Sequence, residues 1–158
     1  MVASTTTAFT GSAAAGAEEL AYSFAVSAGE IATGCFVNLR TLCRASSAGN
    51  AKVFRISVNT SNSLVGATQV GTVTVNNNHE SFIFSREFAV RSATVIIGGG
   101  AATTDMENND FDNTTDSPAE ITVPDLTGAH FWLVSLQRNG PTQGAAGLDY
   151  GKLNIDKV

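Results

Sequence analysis

In the stretch AKVFRISVN, residues 51–59, Phe54, Ile56 and Val58 alternate with Arg55 and Ser57. Side chains of a strand point to opposite faces in turn, so a period of two marks a strand with one buried and one wet face. The same rhythm runs through CFVNLRTLCRA, where Cys35, Val37, Leu39 and Cys43 share one face and Asn38, Arg40 and Arg44 the other. It returns in ESFIFSREFAVRSATVII, which aligns Phe82, Phe84, Phe88 and Val90. LAYSFAV, SLVGATQVGTVTV, AEITV between Pro118 and Pro124, AHFWLVSLQR and DYGKLNIDK complete the set. Gly, Asn and Ser turns such as SSAGN and NNN separate them. No stretch carries a long helical period. The pattern predicts an all-β protein of about eight strands, an antiparallel β-sandwich of jelly-roll type, with an extended N-terminal arm.

A chain of 158 residues makes one domain and buries enough surface for a core without disulfides or metals. Charged residues are only 15% of the total, and polarity comes instead from Ser, Thr and Asn, which suit strands and turns better than helices. The net charge of −5 and the pI near 4.8, with no basic run, argue against nucleic acid or an anionic membrane as partner. No apolar segment is long enough for a membrane helix, and MVASTTTAFTGSAAAG lacks the basic start and apolar centre of a signal peptide. The expectation is a protein made and used without Sec export. Cys35 and Cys43, eight residues apart on one strand, would lie roughly 26 Å from each other, too far for a disulfide. They are expected to be free thiols.

Residues 1–19 are small and polar, and Phe9 is the one large side chain among them. They are predicted to form the arm, with a short helical turn at SAAAGAEEL capped by Ser12, followed by the sandwich over residues 20–158. Such an arm is expected to tether the protein to a partner, with Phe9 as an anchor.

DMENNDFDNTTD, residues 105–116, carries seven carboxylate or carboxamide side chains in its first nine residues. Asp105, Glu107, Asn109 and Asp116 fall near the ligand positions of a calcium loop. Asp110 stands where the turn needs glycine, and no helix pattern flanks the loop, so a solvated excursion between strands is the better reading. Met106 and Phe111 within it are candidates for partner contact. GGGAATTD lacks the Lys and helix of a phosphate loop. His79 and His130 have no metal-ligand spacing, and no nucleophile motif is present. Nothing converges on catalysis, so the protein is expected not to be an enzyme and to use no cofactor.

The run SAGEIATGCFVNLRTLCRASSAGNAKVFRISVN, followed by SFIFSREFAVRSAT and closed by GAHFWLVSLQRN, resembles the β-sandwich domains of tailed-bacteriophage virion proteins. These serve as capsid decoration or cement proteins, head fibres, and heads of tail fibres. The resemblance spans roughly residues 20–157 and rests on strand rhythm, an Arg after hydrophobic runs and a glycine-rich loop. It implies a homotrimer in the virion, assembled in the host cytoplasm, with the major capsid protein or another virion protein as partner. Only about nineteen residues precede the first strand, too few for a fibre stalk, which favours a decoration or cement protein on the head. The alternative is a receptor- or carbohydrate-binding fibre head.

AHFWLVSLQR adds one expectation. Phe131 and Leu133 point to one side and Trp132, Val134 and Leu136 to the other, so both faces are apolar. A neighbouring subunit over the second face is the simplest cover, with Trp132 at the contact. The other reading is that the glycine-rich loop or the arm folds back over that face.

Overall fold

The computed structural model describes residues 2–12, 14–45, 51–75, 81–99, 118–139 and 146–157. Its regular structure among these residues is entirely β: β1 (Val2–Thr5), β2 (Phe9–Thr10), β3 (Glu18–Val26), β4 (Phe36–Arg44), β5 (Lys52–Asn59), β6 (Thr68–Val75), β7 (Ser81–Ser92), β8 (Val95–Gly98), β9 (Ala119–Thr122), β10 (His130–Arg138) and β11 (Gly147–Asp156).

Eight of these strands behave as one long hairpin. β1 pairs with β11, β3 with β10, β4 with β7 and β5 with β6, all antiparallel, so the first half of the chain is matched against the second in reverse order. The hairpin then wraps on itself: β11 also pairs with β4, and β10 with β5. The outcome is one sheet containing β1-β11-β4-β7 and another of β3-β10-β5-β6. This is the jelly-roll arrangement expected from the sequence, with β8 and β9 extending the first sheet and β2 capping β11.

The inward faces meet in one core. Val37, Leu39, Phe54, Ile56, Phe84 and Phe88 are all fully buried in it. Phe88 lies 5.5 Å from Trp132 between ring centres, and Phe54 meets Phe82 edge-on at 5.3 Å. Both cysteines are free and buried.

The arm is built differently from its expectation. Val2–Thr5 pairs residue for residue with Asn154 back to Gly151, and Phe9–Thr10 with Leu148 and Gly147. β1 is thus the first strand of the jelly roll, where the long hairpin needs a partner for its last strand. Among the described residues of SAAAGAEEL there is no helix, only a turn in which the Ala17 N–H donates to the Ala14 carbonyl at 3.0 Å. The Ser12 backbone N–H donates instead to the Glu19 carboxylate at 2.9 Å, and β3 begins at Glu18.

Two predicted strands are also corrected. SLVG is a loop, with Val65 exposed and Gly66 at a φ of 75°, a left-handed conformation that glycine adopts without strain. ESFIFSREFAVRSATVII is two antiparallel strands, because the chain reverses at Ala93 and Thr94. No glycine, asparagine or proline marks that turn. It is held by the Ser92 hydroxyl, which accepts the Thr94 N–H, and by Leu126 and Val123, whose N–H groups donate to the Ala93 and Thr94 carbonyls at 2.8 and 2.9 Å.

Period two also sends one charge into the core. Arg86 lies between Phe84 and Phe88 on the inward face and has no exposed surface. Its guanidinium donates to the Thr72 carbonyl at 3.0 Å and the Ser85 carbonyl at 2.9 Å, and stands 4.7 Å over the Phe84 ring. The facing residue is Gly71, where a Cβ would come within 2.9 Å of the Arg86 Cγ, so a residue without a side chain makes the room.

Candidate protein-binding face

The strand expected to need a partner does not need one. Trp132, Val134 and Leu136 belong to the core, and Leu133 on the opposite side of β10 also has no exposed surface within the single chain. Trp132 is therefore corrected from a candidate contact to a core residue. On the same outer face Glu18 accepts the Ser135 hydroxyl and lies 3.5 Å from Arg55.

Exposed apolar surface lies on the other sheet. Val2, Phe36, Leu42 and Val65 are the exposed large hydrophobic residues among those described. The first three all stand on the outward face of the sheet that contains β1, β11, β4 and β7. Phe36 is 45% and Leu42 39% exposed, although both sit in the middle strand β4 rather than at an edge.

Strand register sorts this face into rows. Tyr150, Leu42 and Ile83 form an apolar row across β11, β4 and β7. Next come Ser4, Lys152, Arg40 and Ser85, a basic row. Val2, Asn154, Asn38 and Glu87 follow, a row of two amides and one carboxylate with Val2 at its β1 end. Asp156, Phe36, Ala89 and Ile97 make a last row, apolar except for Asp156 at its β11 end.

A bulge at Asp149 sets this phase. The strand inserts that residue between Leu148, opposite Cys43, and Tyr150, opposite Leu42, and its carboxylate meets Arg44 at 3.1 Å. The Asn38 amide donates to Glu87 at 3.4 Å and the Asn154 amide to Asp156 at 2.6 Å. Arg40 and Lys152 take part in no ion pair among the described residues. An apolar patch of this kind with cations beside it is suited to binding protein.

The remaining candidates are placed as follows. Asp105, Glu107, Asn109, Asp116, Met106 and Phe111 lie outside the described residues, as does His79. Phe9 is half-buried and packs against the core rather than standing free. With Thr5, Thr7, Ala8, Ala21, Tyr22 and Ser23 it lines an open cleft of about 250 Å³ between the arm and β3. Among the described residues no three His, Cys, Asp or Glu side chains are grouped to hold a metal ion. His130 is buried; its Nδ1 lies 2.9 Å from the Gly128 carbonyl and its Nε2 has no hydrogen-bond partner among the described residues. Burial pushes its pKa down, against the opposing pull of the Gly128 carbonyl and Asp125. Burial also pushes the Cys43 thiol up to about 12, which keeps it protonated and unreactive at neutral pH.

Comparison with known proteins finds no matching family model, no matching curated protein and no matching solved structure.

Proposed function

We propose that the protein is a non-enzymatic structural protein that assembles with copies of itself, through the outward face of the sheet containing β4, β7 and β11, and that attaches to a larger protein shell. The setting is the one its resemblance implies, a capsid decoration or cement protein on the head of a tailed phage. The shell partner is then the major capsid protein or another virion protein, and the site of action is the virion. One observation carries the reading: Phe36 and Leu42 are exposed in the middle of a sheet whose inward face is already packed. A central strand normally alternates apolar-in and polar-out, so apolar side chains on its wet face are expected where another surface covers them.

Negative-stain imaging of virions labelled for this protein tests the setting. Labels distributed over the head are expected. Labels at the tail tip would instead favour the fibre-head alternative, and unlabelled virions would overturn both.

A further inference from the structure

The order of rows on this face has a symmetry property. Along the strands it reads apolar, basic, amide with carboxylate, apolar. A two-fold axis lying across the strands, between the Arg40 and Asn38 rows, exchanges the two inner rows with each other and the two outer rows with each other. Basic then faces amide and carboxylate, and Leu42 and Ile83 of one outer row face Phe36 and Ala89 of the other, with Asp156 at the β11 end. An axis along the strands does the opposite and sets Arg40 and Lys152 against their own kind. Like charges opposed across an interface are unfavourable, so the pattern selects the first arrangement.

From this we infer that the occupant of the face is a second copy of the same chain, packed sheet to sheet with its strands antiparallel to those of the first. The inference rests on the reading of this face as a protein-binding surface, and names its partner. Arg40 and Lys152 supply the cations, and neither has an ion pair among the described residues. The partner's Asn38, Asn154 and Glu87 supply the acceptors, and Leu42 and Tyr150 meet the partner's Phe36 row. Sheets pack about 10 Å apart, a gap that an arginine reaching sideways by one strand can close to a carboxylate. Four strands at about 4.8 Å and four rows at about 6.8 Å cover on the order of 500 Å² per copy. The pair therefore buries about 1,000 Å², at the lower edge of specific interfaces, and a reversible dimer is the expected form. Three subunits, which the resemblance implies, do not follow from a face that complements itself about a two-fold axis.

Sedimentation velocity over a range of concentrations tests the inference on the whole chain. The mass should rise with concentration from 16.3 kDa toward twice that value. Arg40→Glu and Glu87→Arg should each remain monomeric at concentrations where the parent dimerises, and circular dichroism should show both folded, because both side chains point to solvent. An equimolar mixture of the two variants should dimerise again, since each remaining pair across the axis is then of opposite sign. Arg40→Gln, which keeps the size of the side chain, is a second variant in case a reversal perturbs folding.

A parent that stays monomeric throughout, a mass three times that of the chain, single variants that dimerise unchanged, or a mixture that fails to associate would each overturn the pairing. A dimer that never labels virions would sink the virion setting and leave the pairing intact. A monomer that still labels heads would sink the pairing alone.

Discussion

The Tyr22 hydroxyl lies 2.8 Å from the carbonyl of Leu148, 126 residues later in the chain, and 2.9 Å from that of Thr7. Its single proton thus serves two carbonyls, one on the last strand and one in the segment joining β1 to β2. Tyr22→Phe keeps the ring against Phe24 and leaves both acceptors without that donor. The expected cost is about 1–2 kcal/mol, or roughly 2–8 °C in melting temperature for a domain of this size. Because burial raises the Tyr22 pKa, with Asp149 adding to it, spectroscopic titration should also find this phenol ionising above the ordinary value of 10.0. An unchanged melting temperature in the variant would show that the contact carries no weight.

The same contact bears on the arm. A disordered tether could be removed without loss of stability, whereas β1 is the strand that closes the long hairpin against β11. Deleting residues 2–10 is expected to lower the urea midpoint markedly and, by opening the edge of β11, to promote aggregation. A truncated chain as stable as the intact one would return residues 2–10 to the role of a tether.

Trp132 is the only tryptophan in the chain, and it has no exposed surface. Its fluorescence should therefore be blue-shifted in the native state and move to the red on unfolding. Trp132→Ala is expected to cost about 3–5 kcal/mol through lost contact with Phe88 and the cavity left behind. A native emission spectrum like that of free tryptophan in water would refute the burial.

These cases show what period two could reveal and where it stopped. It placed Phe54, Phe84 and Phe88 each on one shared face of its strand, because large apolar residues recur there at even spacings. It carried no signal for β1, whose residues VAST are small and owe their strand form to β11 rather than to any pattern of their own. Nor did it mark the Ala93–Thr94 reversal, which depends on bonds from Leu126 and Val123 some thirty residues later. Parity does put Phe36 and Leu42 on the polar side of β4 with Asn38 and Arg40. That conflict is the sequence signal for the exposed apolar side chains of this face, whereas the apolar residues on both sides of β10 point to the other sheet. Sequence alone could not show that Leu133 is already covered within its own chain.

His130 supplies a pH dependence whose sign follows from its burial. The ring is buried at the start of β10, and desolvation lowers its pKa below the ordinary 6.5, outweighing the Gly128 carbonyl and Asp125. Between the folded and unfolded values the unfolded chain binds more protons, so stability rises with pH in that window. The contribution is fully present above about pH 6.5 and is lost as pH falls toward the depressed folded value. Asp125 acts in a separate window, because the Thr127 hydroxyl and backbone N–H lower its pKa from 3.8, and its contribution is lost only in stronger acid. Urea midpoints measured from pH 7.5 down to 5 should therefore decline for the parent and decline less for His130→Gln, whatever the variant's absolute stability. Equal slopes for the two proteins would mean that His130 titrates in the folded chain as it does in the unfolded one.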